Sequence, residues 1–177
     1  MASTNSAMLA LGGGCFWCLE GAFAALRGVQ AVECGYSNGQ PPPVTYEQVC
    51  TGQTGCAEVL YIRYDPAQIS TAQLLQVFFA LHDPSTPNRQ GADVGTQYRS
   101  GIYTTTAEQA QAAHAAIAQL AAQGVHAVTE VQPLAHYQKA EDYHQGYAQR
   151  HPDQPYCRLV ALPKLDKAKA QFGAWMA

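Results

Sequence analysis

The residues best suited to chemistry lie in Gly12-Gly13-Gly14-Cys15-Phe16-Trp17-Cys18. This segment joins a strand-like run, Ala7 to Leu11, to a helical run from about Phe16 to Leu26. Its glycines permit a tight turn and close backbone approach. The turn is expected to put Cys15 at the start of the helix. Free N–H groups and the positive end of the helix dipole stabilise a thiolate there. Since the thiolate is the nucleophile, this position is expected to lower the Cys15 pKa and raise its reactivity. Phe16 and Trp17 beside the sulfur would form an apolar patch suited to a thioether or methyl group. The same two rings would serve equally well as core.

Cys15 and Cys18 stand three residues apart, which fits either a dithiol redox pair or half of a zinc site. Zinc normally needs a second C-x-x-C or a spaced histidine pair. The other cysteines (Cys34, Cys50, Cys56 and Cys157) are scattered singly, and no His-x-x-x-His pair is near. No metal is therefore expected. A dinucleotide loop does not fit, because no acidic residue follows at the required distance.

Elements must hold these thiols in place. Val32, Cys34 and Tyr36 alternate as in a strand, and Val59 to Tyr64 is rich in strand formers. Ser70 can cap a helix carrying Leu74, Leu75, Phe78 and Leu81, and Asp83-Pro84 opens a long polar loop to Gln97. A strand near Tyr98 to Thr104 follows, then an Ala/Gln-rich helix from Ala107 to Gln123 capped by Thr106. A strand near Val125 to Val131 and a helix near Tyr137 to Gln149 complete the pattern. The expected fold is α+β, a ferredoxin-like split βαβ plait with extra helices. A doubly wound sheet is the alternative. Residues 1–177 are expected to form a single catalytic domain, with 153–177 a long irregular C-terminal tail.

Composition narrows the partners. The chain of 177 residues is 47% hydrophobic and 13% charged, which rules out overall disorder. A net charge of -3 without a basic cluster argues against nucleic acid. Lys164, Lys167 and Lys169 read as a solvated tail. No run approaches the roughly 20 apolar residues of a membrane span, and Met1 to Ala10 has no signal-like pattern. The expectation is a soluble, cytoplasmic monomer without a cofactor. In that setting six cysteines suggest redox work rather than a disulfide scaffold.

Gly14-Cys15-Phe16-Trp17 resembles the signature of the A-type peptide methionine sulfoxide reductases. Further segments agree in order: Gly35-Tyr36-Ser37-Asn38-Gly39, Thr45-Tyr46-Glu47-Gln48-Val49 and Thr54-Gly55-Cys56-Ala57-Glu58. His82-Asp83-Pro84, Arg89-Gln90-Gly91-Ala92-Asp93 and Gly95-Thr96-Gln97-Tyr98-Arg99-Ser100 resemble the family's central loop and strand. Ala140-Glu141-Asp142-Tyr143-His144-Gln145 and Tyr156-Cys157 complete the likeness, which runs from about Leu11 to Pro163. Two positions depart from the family pattern. Cys56 stands where the family usually has His, and Cys18 where many members have Gly.

The resemblance implies reduction of the S epimer of methionine sulfoxide, free or in oxidised proteins. In that reading Cys15 attacks the sulfoxide sulfur and becomes a sulfenic acid. Glu58 is the acid, a role that requires burial to keep it protonated near neutral pH. Tyr36 and Tyr98 hold the sulfoxide oxygen, Asp93 bonds the substrate, and Phe16 and Trp17 take its methyl group. Cys157 is the expected resolving thiol, with Cys18 as a possible relay, and thioredoxin is the implied reductant. Competing readings are a thiol peroxidase, or a redox-sensing or zinc-binding module without sulfoxide turnover. The roles of Cys34 and Cys50 stay open.

Overall fold

A computed structural model describes residues 5–177. Residues 1–4, where the expected domain and the N-terminal reading begin, lie outside the described residues. In chain order the elements are β1 (Ala7–Gly12), α1 (Trp17–Ala24), β2 (Val29–Ser37), α2 (Tyr46–Cys50), β3 (Ala57–Tyr64) and α3 (Thr71–Leu81). Then come the short strands β4 (Arg89–Gln90) and β5 (Asp93–Val94), β6 (Gly101–Thr104), α4 (Ala107–Ala122), β7 (Glu130–Pro133) and β8 (Gln138–Lys139). The chain closes with α5 (Tyr147–Arg150) and α6 (Leu162–Phe172).

The architecture is mixed α+β around a six-stranded sheet of order β7-β6-β1-β3-β2-β8. Neighbours are antiparallel except β6 and β7. Period-two alternation decides what each strand presents. On β3, Leu60, Ile62 and Tyr64 face the main core, while Ala57 and Val59 face a smaller cluster with Ala10 and Tyr103. Glu58 therefore continues the apolar row of Leu60 and Ile62. On β2, Cys34 and Tyr36 point the same way into the main core. Helices α1, α3 and α6 pack together on that side.

Local sequence explains several boundaries. Ser70 and Gln73 form a reciprocal capping box at α3, and Thr106 caps α4 through the Gln109 N–H. Gly14 has φ +92°, and a Cβ there would lie 2.8 Å from the Gln90 side chain. Only glycine suits that turn.

Three expectations change. The segment 137–149 is not one helix. Gln138–Lys139 joins the sheet edge beside β2, Asp142–His144 is a single 3₁₀ turn, and Gly146 (φ +67°) breaks the chain before the short α5. Buried Ala140, His144 and Ala148 mimic a helical repeat, yet Ala140 follows β8, His144 ends the 3₁₀ turn and Ala148 lies in α5. The strand expected near Val125 starts at Glu130. The 153–177 segment is not irregular. A π-helical turn, Cys157–Ala161, leads into α6, which docks on α1 and α3. Its apolar stripe (Leu162, Leu165, Ala168, Phe172) is narrow and interleaved with lysines, so packing rather than intrinsic propensity holds this helix.

Candidate active site

The structure brings the expected residues together around the β1–α1 turn. Cys15 precedes the Phe16 N-cap and is 9% exposed; Cys18 lies in the first turn of α1 and is 3% exposed. The Cys18 N–H bonds the Cys15 carbonyl at 3.0 Å, and the two thiols lie close enough to act on each other's ionisation. Burial, the neighbouring Cys18 thiol and the Glu58 charge push the Cys15 thiol well up, and the helpful Trp17 N–H does not outweigh them. This corrects the expectation that the helix start alone would lower the Cys15 pKa: desolvation wins over the helix end. Within the pair, the Cys18 thiol is the one shifted downward. The neighbouring Cys15 thiol, against the cost of burial, together with Lys164 and the Tyr156 hydroxyl, brings its thiol down to about 7.

Glu58 is 1% exposed. Its Oε1 accepts from the Phe16 N–H at 3.2 Å, and its Oε2 has no partner among the described residues. Burial moves the carboxyl up to about 8, although the Phe16 N–H pulls the other way. It is thus largely protonated at neutral pH, as a proton donor in this position must be. Tyr36 sits directly across from Glu58 in the β2–β3 register. Its ring lies 5.8 Å from that of Phe16, and its hydroxyl donates to Glu141 at 2.7 Å. Tyr98 ends a 3₁₀ turn, Thr96–Tyr98, on the same rim, close enough for the Glu58 and Asp93 charges to act on its hydroxyl.

Trp17 stacks on Tyr147 at 3.9 Å and donates its indole N–H to His144 Nδ1 at 3.2 Å. His144 must then carry its own proton on Nε2. Burial lowers its pKa and keeps the ring neutral. Phe16 is almost wholly buried, so Trp17 offers the more open of the two rings. Asp93 accepts from the Tyr156 hydroxyl at 2.6 Å, and that hydroxyl also lies 3.3 Å from the Cys18 sulfur. Cys157, the next residue, is fully buried in the π-helical turn packed on α1.

Several neighbours carried no role in the sequence reading. Arg99 holds three chain segments at once: Nη1 donates to Gly55 O and Thr96 O at 2.9 Å, and Nη2 to Asn38 O at 3.0 Å. Its Nε pairs with Glu130 at 2.9 Å. These segments adjoin Glu58, Tyr98 and Tyr36. Glu141, His144 and Tyr156 likewise belong to motifs of the family resemblance, and the motifs were the only signal available for them. The remaining thiols are peripheral. Cys34 is buried and pushed up by desolvation and the nearby Glu20. Cys56 donates to Gln40 O at 3.7 Å, and Cys50 is exposed. Among the described residues no group of three or more His, Cys, Asp or Glu is arranged to hold a metal ion. A groove of about 600 Å³ lies elsewhere, between α3, α4 and α6, and its lining is alanine, glutamine, leucine and phenylalanine.

A paired, buried dithiol beside a protonated carboxyl, at a strand-to-helix turn of an α+β sheet, defines a thiol oxidoreductase. The comparisons narrow that class. The family model described as "Peptide methionine sulfoxide reductase" matches residues 7–175, and the chain belongs to this family. A peptide methionine sulfoxide reductase MsrA of Chromobacterium violaceum is 51% identical over 165 residues, covering 92% of this chain and 94% of that protein. The reduced form of Mxr1 from Saccharomyces cerevisiae superposes with a TM-score of 0.82 at 33% identity, covering 86% of this chain and 90% of that one. Methionine sulfoxide reductase A of Corynebacterium diphtheriae gives 0.78 at 36% identity, covering 85% and 77%.

Proposed function

We propose that the chain, acting as one catalytic domain over residues 1–177, reduces the S epimer of methionine sulfoxide, free or in oxidised proteins, at Cys15. The observation that carries this reading is Glu58: buried, protonated near neutrality, with Oε2 unpartnered and the Cys15 thiol close enough to act on the carboxyl. A sulfoxide oxygen leaves poorly unless protonated, and this carboxyl has the proton to give. The Cys15 sulfur supplies two electrons and the sulfoxide S–O bond breaks. Methionine departs as a thioether, and the oxygen remains as the hydroxyl of a Cys15 sulfenic acid. Tyr98 and Asp93 line the oxygen and substrate side; Tyr36, expected there too, is instead wholly buried behind Phe16 with its hydroxyl given to Glu141. Trp17, braced by Tyr147 and His144, offers the methyl group an apolar wall.

We read the order of resolution as Cys18 before Cys157, where the sequence expectation put Cys157 first. Cys18 neighbours Cys15 at the helix start and its thiol is brought down to about 7, whereas Cys157 is buried in a helical turn. Cys18 therefore condenses with the sulfenic acid first, releasing water and leaving a Cys15–Cys18 disulfide. Cys157 then attacks Cys18 by exchange, once the Tyr156–Asp93 contact opens, and thioredoxin reduces the disulfide that results. The fold reading that goes with this is the ferredoxin-like split plait. It is supported by the order β6-β1-β3-β2 within the succession β1-α1-β2-β3-α3-β6. No helix among the described residues is long and apolar enough to cross a membrane, and the six free thiols suit a reducing compartment such as the cytoplasm.

A thioredoxin-coupled assay with separated sulfoxide epimers tests the function. The S epimer should be consumed, the R epimer should not, and Cys15→Ser should consume neither. Turnover by Cys15→Ser at the parent rate would reject the assignment.

A further inference from the structure

Gln90 lies in the motif Arg89-Gln90-Gly91-Ala92-Asp93, and the family resemblance gives it no role. Its strand β4 pairs with β5 in a two-stranded hairpin, and the register sets Gln90 directly opposite Asp93. Directly opposed residues project from the same face. Bonds from the Thr86 hydroxyl to Arg89 O at 2.8 Å, from Arg89 Nε to Gly91 O at 3.0 Å and from the Gly95 N–H to Asn88 O at 2.9 Å stay within the loop. They shape the hairpin without tying it to α1 or α3.

The Gln90 side chain makes that tie. Its Oε1 accepts the Asp83 N–H at 2.9 Å, and its Nε2 donates to Asp83 O at 2.9 Å. A side-chain amide has both an acceptor and donors, so it can satisfy both backbone groups of one residue. Asp83 follows the end of α3, whose Leu81 is buried in the core. The Gln90 Cβ and Cγ also lie against Gly14, 2.9 and 2.8 Å from where a Cβ would stand. Gly14 immediately precedes Cys15. On the same hairpin face Asp93 accepts the Tyr156 hydroxyl at 2.6 Å, and that hydroxyl lies 3.3 Å from the Cys18 sulfur. Gln90 thus meets the nucleophile's turn through its carbons, the end of α3 through its amide and Asp93 through its backbone.

We propose that Gln90 is a positioning residue that holds the Asp93 carboxyl at a fixed reach from Cys15, and so sets how tightly the site binds methionine sulfoxide. The proposal rests on the roles given to Cys15 and Asp93 above and deepens them. Asp93 bonds the substrate and gives no proton or electron to the step, so its contact is alike before and during the reaction. Displacing it weakens binding and leaves the chemical step nearly unchanged. A residue that only stabilised the fold would impair binding and rate alike, and would do so with or without Asp93.

Single-turnover kinetics with methionine S-sulfoxide, without thioredoxin, separate the saturating rate from the half-saturating concentration. Gln90→Leu keeps carbon atoms on Gly14 but removes both bonds to Asp83. The half-saturating concentration should rise about tenfold, the worth of one bond to a carboxylate lost from the bound state, and the saturating rate should stay within about threefold. Placed on Asp93→Ala, Gln90→Leu should change neither quantity. A second readout needs no substrate. Amide hydrogen exchange at Asp83 and across residues 89–94 should quicken in Gln90→Leu, because the hairpin has lost its tie to α3. A half-saturating concentration within about threefold of the parent, or a saturating rate that falls further than about threefold, would overturn the proposal. So would an effect that persists without the Asp93 carboxyl, or exchange that does not change. Absence of turnover in the parent protein would instead reject the sulfoxide reading itself, while exchange would still show whether Gln90 ties the hairpin down.

Discussion

Replacing Glu58 by Gln separates proton donation from hydrogen bonding at the candidate site. The amide oxygen can still accept the Phe16 N–H that now reaches Oε1 at 3.2 Å, but Gln has no carboxyl proton to give. The rate of sulfenic acid formation in one turnover should fall on the order of a hundredfold or more, the usual worth of a placed general acid. In the parent that rate should be level in mild acid and decline as pH rises through about 8, where Glu58 loses its proton. The slow variant should lack that decline. Stability gives a second readout of the same group. Burial moves the carboxyl from an ordinary 4.5 to about 8, so over that range the folded chain keeps a proton that the unfolded chain releases. The stabilising contribution is therefore complete below pH 4.5, is lost as pH rises to about 8, and is level beyond. A displacement of that size corresponds to about 5 kcal/mol. Urea unfolding from pH 4.5 to 9 should show parent stability falling by several kcal/mol relative to Glu58→Gln. Parallel pH curves for the two proteins, or a parent-like rate in the variant, would refute the buried-acid argument.

Two further outcomes follow from contacts around the site. Tyr156→Phe removes the hydroxyl shared by Cys18 and Asp93; the alkylation midpoint of Cys18 should rise from about 7, and an unmoved midpoint would mean that the hydroxyl does not support the thiolate. Arg99→Ala should destabilise the fold by on the order of 3 kcal/mol in urea unfolding and slow sulfenic acid formation, because three segments beside the site lose a common anchor; Arg99→Lys should rescue little, since an ammonium cannot reproduce the planar fork. Parent-like stability in Arg99→Ala would remove Arg99 from the account.

Much of the scaffold was legible because local and tertiary signals agree. Ser70 with Gln73, and Thr106 with Gln109, mark helix starts that the structure keeps. Alternation around Cys34 and Tyr36, and from Val59 to Tyr64, marks two strands of the central sheet. Failures came where a local pattern had a non-local cause. Ala140, His144 and Ala148 are buried at helical spacing without sharing a helix. The C-terminal helix is weakly apolar and depends on α1 and α3. The same division holds at the site. The turn and the pairing of Cys15 with Cys18 could be read from residue types and spacing. Which sulfur ionises depends on burial, on Lys164 from α6 and on Tyr156 from the segment before it, none of which is adjacent in sequence. Tyr36 and Glu58 entered through motifs, and their direct juxtaposition required the β2–β3 register.

The central claim is that Cys15 takes the sulfoxide oxygen and passes its oxidation to Cys18. The most direct measurement is one turnover of methionine S-sulfoxide by the reduced protein without thioredoxin, with methionine counted and disulfides mapped by mass in Cys157→Ser. That variant should form about one equivalent of methionine per chain and accumulate a Cys15–Cys18 disulfide. Methionine formed while Cys15 and Cys18 both stay reduced, or a Cys15 sulfenic acid that persists beside a free Cys18 thiol, would contradict it.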